Sequence, residues 1–74
     1  MTQQQKDIVF ERASDKQFTV NYDNGKKYAA RLIGRKCDYP SAYFVNELGQ
    51  TIDIQISWGL ASRIATGETT HINA

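Results

Sequence analysis

The chain has 74 residues, about half of a typical ~150-residue domain, so one domain is expected. Nine Lys and Arg against eight Asp and Glu leave a formal charge of +1, and 41% of the residues are apolar, a balance that excludes a disordered polyelectrolyte tail. No apolar run approaches the ~18–20 residues of a membrane span. Residues 1–7 are polar and open no apolar stretch, so no secretory leader is expected. Cys37 is the one cysteine, so no internal disulfide can close and no Cys/His set has zinc spacing. A lone thiol also fits a reducing, cytoplasmic setting.

In chain order, residues 1–6 show no periodic apolar face and are expected to fray. Residues 7–74 are expected to form a single small β-rich domain. Ile8, Val9 and Phe10 make a short β-prone run, closed by the turn-like Ala13-Ser14-Asp15. Gln17-Phe18-Thr19-Val20-Asn21-Tyr22 alternates polar and apolar, the signature of a half-buried strand. Asp23-Asn24-Gly25 is the strongest hairpin signal in the chain.

Face matching selects the loop length. A two-residue loop would set Tyr22 against Lys27 and Phe18 against Arg31, mixing core with charge. A three-residue loop with Gly25 left-handed sets Val20 against Tyr28 and Phe18 against Ala30. Directly opposed residues share a face, so the second register is predicted. The strand then runs over 26–34, with Tyr28, Ala30 and Leu32 on one face and a bend or bulge near Gly34.

Residues 35–41 read as a loop, with Tyr39 held extended by Pro40. A strand over 42–46 follows, then a three-residue turn, Glu47-Leu48-Gly49. The strand over 51–58 puts Ile52, Ile54, Ile56 and Trp58 on one face. Ser57 is placed to cap a short helix near 58–66, stopped by Gly67. A closing strand is expected over 68–72.

Short consecutive antiparallel strands favour a closed barrel, which hides aggregation-prone edges. A mainly β fold is therefore expected: a small antiparallel barrel of five to six strands with one short helix. The alternative is an open α+β antiparallel sheet with one packed helix. The segment Phe18-Thr-Val-Asn-Tyr-Asp-Asn-Gly25, the long strand broken near Gly34, the turn at Gly49 and the helical turn before a last strand resemble the Sm-like and SH3-like small barrels. The resemblance spans residues 17–72 as a pattern and implies that fold, with an oligomeric ring compatible with so small a core. The family's RNA-contacting signatures are missing: Cys37-Asp38-Tyr39-Pro40 stands where an Asp-x-x-Met-Asn type motif would follow the long strand. No functional residue is carried over.

Charge placement is the most informative functional signal. Residues 24–37 hold Lys26, Lys27, Arg31, Arg35 and Lys36 with no acid, and acidic excess on either side cancels them. If the strand stays regular past Gly34, the odd positions Lys27, Arg31 and Arg35 form one exposed basic row, beside Thr19 and Asn21. Such a row can neutralise phosphates, and Tyr39 or Tyr43 can stack on unpaired bases. A non-enzymatic regulatory domain binding RNA or single-stranded DNA is the leading expectation. The runner-up is an adaptor or inhibitor that docks on a protein through an acidic-aromatic face (Tyr43, Val45, Glu47, Asp53, Gln55) or a sheet edge. His71 has no nearby Ser, Cys or Asp constellation, and the five glycines form no phosphate-cradling motif. No catalytic residue, metal or cofactor is expected.

Overall fold

The computed structural model describes residues 1–22 and 25–74. The element order is α1 (Gln3–Ser14), β1 (Phe18–Asn21), β2 (Lys27–Lys36), β3 (Tyr39–Val45), β4 (Thr51–Gln55), α2 (Trp58–Ala65) and β5 (His71–Asn73). The strands form one five-stranded mixed sheet in the order β4-β3-β2-β1-β5. β5 runs parallel to β1, and the other pairs are antiparallel. This is a small α+β fold and not a closed barrel: β4 and β5 end the strand order without pairing to each other.

The main correction lies at the N-terminus. Residues 8–10 are not a strand and residues 3–6 are not frayed, because α1 spans both segments. A capping box starts the helix: the Gln5 amide donates to the Thr2 hydroxyl at 3.1 Å, and the Thr2 amide donates to the Gln5 side chain at 2.8 Å. Val9, Phe10 and Ala13 then share one face and pack into the core. With α1 and α2 both against the sheet, its apolar face is covered without closing a barrel.

The β1–β2 and β3–β4 registers match the predicted loops. Phe18 faces Ala30 and Val20 faces Tyr28, and Gly25 is left-handed with φ 77°. The loop residues Asp23 and Asn24 lie outside the described residues. Gly49 is also left-handed, at φ 77°, and the Asn46 amide donates to the Gln50 carbonyl at 3.0 Å to close the second hairpin. α2 begins after its predicted Ser57 cap, whose hydroxyl accepts from the Leu60 amide at 3.1 Å. β4 ends at Gln55, so Trp58 enters from the helix and not from a strand.

The expected loop over 35–41 is a tight hairpin. Lys36 pairs directly with Tyr39, and Cys37 and Asp38 both take positive φ, 53° and 65°, as a two-residue type I′ turn demands. Pro40 is tolerated in β3 because β4 has already ended beside it; its carbonyl still accepts from the Ile56 amide at 3.0 Å. The turn is fixed to the helices. Trp58 Nε1 donates to the Asp38 carbonyl at 2.7 Å, and Lys6 pairs with the Asp38 carboxylate at 2.7 Å.

The core is the inner face of the sheet plus both helices. Phe18, Val20, Ala30, Leu32, Ala42, Phe44 and Ile72 meet Ala13, Trp58, Ala61 and Ile64, all buried. Tyr28 stacks on Phe44 with ring centroids 4.7 Å apart, and Tyr22 meets the same ring edge-on at 5.2 Å.

Candidate functional site

The other face of the sheet carries no described element. Strand register maps it, because paired residues share a face. One row across three strands reads Arg31, Tyr43, Asp53, and Gln17 continues it past Arg31, just before β1. The next row holds His71, Thr19 and Ala29, with Val45 and Thr51 beyond. Toward the β2–β3 turn, Ser41 stands between Gly34 and Gln55, and Lys36 faces Tyr39. Asn21 lies between Lys27 and Asn73 at the opposite end.

A β-bulge decides which cations belong to this face. Leu32 pairs with Ala42 but Gly34 pairs with Ser41, leaving Ile33 unmatched. One extra residue reverses the alternation of everything after it. Arg35 therefore pairs with the buried Pro40 and turns to the helix side. There its guanidinium donates to Asp7 Oδ1 at 2.6 Å and lies 5.1 Å from the Phe10 ring centre and 5.2 Å from that of Trp58. Lys6 reaches the Trp58 ring as well, at 5.7 Å. The basic row expected from regular alternation thus loses Arg35 and takes Lys36 in its place.

Two further expected residues leave the face. Lys26 pairs with Glu47 at 3.0 Å, and the Tyr28 hydroxyl donates to the same carboxylate. Those two contacts, the tyrosine's first, hold the Glu47 carboxyl at about 2, well below its ordinary 4.5. Lys26 is raised in turn by Glu47. Tyr28 belongs to the inner face, so Glu47 is drawn away from the acidic-aromatic patch. Asp7 is lowered, chiefly by its hydrogen bond from Arg35.

Lys27, Arg31, Lys36, Tyr39 and Tyr43 remain together on the open face, with Val45, Asp53 and Gln55 beside them. Among the described residues, Lys27, Arg31, Lys36 and Asp53 form no ion pair. Gln55 is engaged: its amide donates to the Lys36 carbonyl at 2.9 Å. Ile33, Tyr39 and Val45 are more than half exposed, at 61%, 52% and 53%, so apolar surface is interleaved with the cations. Two depressions open here. One, of about 320 Å³, lies over the small Ala29 and is bounded by Gln17, Arg31, Tyr43 and Val45. The other, of about 390 Å³, is bounded by Lys36, Cys37, Ser41, Asp53 and Gln55.

Sequence reasoning passed over Gln17 and Ala29. Gln17 is the polar partner of the alternation that starts at Phe18, and that position was the available signal. Cys37 is exposed and free. His71 is exposed on the edge strand, its Nδ1 2.9 Å from the Thr70 hydroxyl. Among the described residues no group of His, Cys, Asp or Glu could hold a metal ion, and no helix is long and apolar enough to cross a membrane. Comparisons with family models, curated proteins and solved structures find no match.

Proposed function

We propose that this protein is a non-enzymatic binding module that holds single-stranded nucleic acid, RNA or DNA, on the open face of its sheet. One observation carries this reading: the same cation–tyrosine pairing occurs twice on adjacent strands, Arg31 opposite Tyr43 and Lys36 opposite Tyr39. Both pairs point away from the helices. A tyrosine offers a flat surface to an unpaired base, and a cation beside it neutralises the adjoining phosphate. Tyr39 and Tyr43 are four residues apart on one strand, about 13 Å at the usual rise, so one extended strand can engage both. A duplex keeps its bases stacked inside and gains only the charge contacts. Lys27 lengthens the cationic track along β2 to the start of that strand.

The protein-docking alternative is weaker on the same map. Glu47 belongs to the opposite face, and the remaining Tyr43, Val45, Asp53 and Gln55 are interleaved with cations. The β4 edge is still open to a partner strand.

The test is fluorescence anisotropy with a labelled mixed-sequence RNA of about eight nucleotides. Binding should weaken with salt, with a logarithmic slope of roughly −1.4 to −2 for two to three phosphate contacts on a single strand. Lys27→Glu with Lys36→Glu should cost at least ~10-fold, and Tyr39→Ala with Tyr43→Ala should remove the preference for single strand over duplex. Failure of the wild type to bind at low salt sinks the proposal.

A further inference from the structure

The Arg31–Tyr43–Asp53 row contains an acid, Asp53, that phosphate neutralisation does not use. Arg31 and Asp53 are opposite charges on the same face, yet they do not pair, because the Tyr43 strand lies between them. Two strand spacings put their backbones about 10 Å apart. A base lying on the Tyr43 ring would thus have a guanidinium at one edge and a carboxylate at another. The depression on the Arg31 side of that ring is lined by Gln17, Ala29 and Arg31, and Asp53 lines the second depression.

The nucleobases differ in what they offer such a frame. Guanine presents two adjacent acceptors, O6 and N7, which match the paired donors of an arginine. It also presents two adjacent donors, N1–H and the N2 amine, which match the two oxygens of a carboxylate. Adenine and uracil lack both pairs, and cytosine lacks the two adjacent donors. Asp53 has a second effect: on a phosphate-binding face it repels the backbone, so it is costly unless a base repays it with hydrogen bonds.

We infer that the row is a guanine-reading site: Tyr43 stacks the base, Arg31 takes O6 and N7, and Asp53 takes N1–H and the N2 amine, with Gln17 behind Arg31. This rests on the single-strand binding proposed above and adds a base preference to it. Lys27 and Lys36 then supply most of the phosphate contact, and Arg31 is principally a reader.

The experiment uses the full chain and an oligouridine of about eight nucleotides carrying one central guanosine, adenosine, cytidine or abasic site. Guanosine should bind about tenfold more tightly than the other three, within the range of one good bidentate contact. Arg31→Lys keeps the charge but not the planar fork; it should leave the salt slope in place and level the four affinities. Asp53→Asn should level them too, while tightening binding to the abasic oligomer, which a merely structural role for Asp53 would not do. Both positions are exposed, so the thermal unfolding midpoint should not move and serves as the folding control. Salt-sensitive binding that is equal for all four oligomers overturns the guanine site and leaves single-strand binding standing. No binding by any of them overturns both.

Discussion

Tyr43 and Phe44 are neighbours in β3, and they belong to different chemistries. Phe44 is buried, takes a ring from Tyr22 and another from Tyr28, and sits among the residues that join sheet to helices. Tyr43 faces Arg31 on one side and Asp53 on the other, on a face that nothing described covers. Arg31 and Arg35 make the same contrast along β2. The first lies on the open face without an ion pair among the described residues; the second is held by Asp7, Phe10 and Trp58. The sheet thus has a structural face and an available face, and a single extra residue at Ile33 reassigns an arginine from one to the other.

The largest expected effect breaks that contrast at its centre. Phe44→Ala should lower unfolding stability by about 3–5 kcal/mol, the usual cost of emptying a packed aromatic site. In a domain this small that is most or all of the folded margin. Tyr43→Ala should cost only about 0.2–1 kcal/mol, the worth of a cross-strand pair. Urea unfolding of the two variants compares them directly, and similar losses would mean that the open face carries structure as well.

A smaller effect comes from pH. The Glu47 carboxyl is depressed to about 2 in the folded chain, below its ordinary 4.5. Its contribution is therefore complete above that ordinary value and is lost as pH falls through the folded one. Glu47→Gln should be less stable than wild type at neutral pH, and the two should converge as pH approaches about 2. The pair is exposed and solvent-screened, so the difference is the least of those expected here. Denaturant midpoints across that range measure it.

Much of the available face was legible from residue alternation. Phe18-Val20-Tyr22 and Tyr28-Ala30-Leu32 assigned their own inner positions, and the glycines at 25 and 49 gave the loop lengths that set the registers. Ser57 marked the start of α2. Two features, α1 and the Cys37-Asp38 turn, escape the alternation, and a third is legible only in part, each for its own physical reason. The Thr2–Gln5 capping box and the Val9, Phe10, Ala13 face signalled α1, but the apolar stripe is narrow and the surrounding Gln, Lys and Glu resemble a frayed end. The Cys37-Asp38 turn lacks the usual Gly, and Pro40 behind it discourages a strand assignment. Gly34 signals a bend or bulge, and the bulge lies between Leu32 and Gly34; which residue is unmatched, and so the reversal after it, depends on how β2 meets β3. Regular alternation carried past Gly34 therefore groups Arg35 with Arg31.

The most direct test therefore sets the two arginines against each other. Arg31→Met and Arg35→Met remove the same charge four residues apart, and methionine preserves the aliphatic packing at the second site. Affinity for a guanosine-containing single strand should fall about tenfold or more in Arg31→Met and stay near wild type in folded Arg35→Met. Equal losses, or a greater loss from Arg35, would contradict the assignment of binding to the open face.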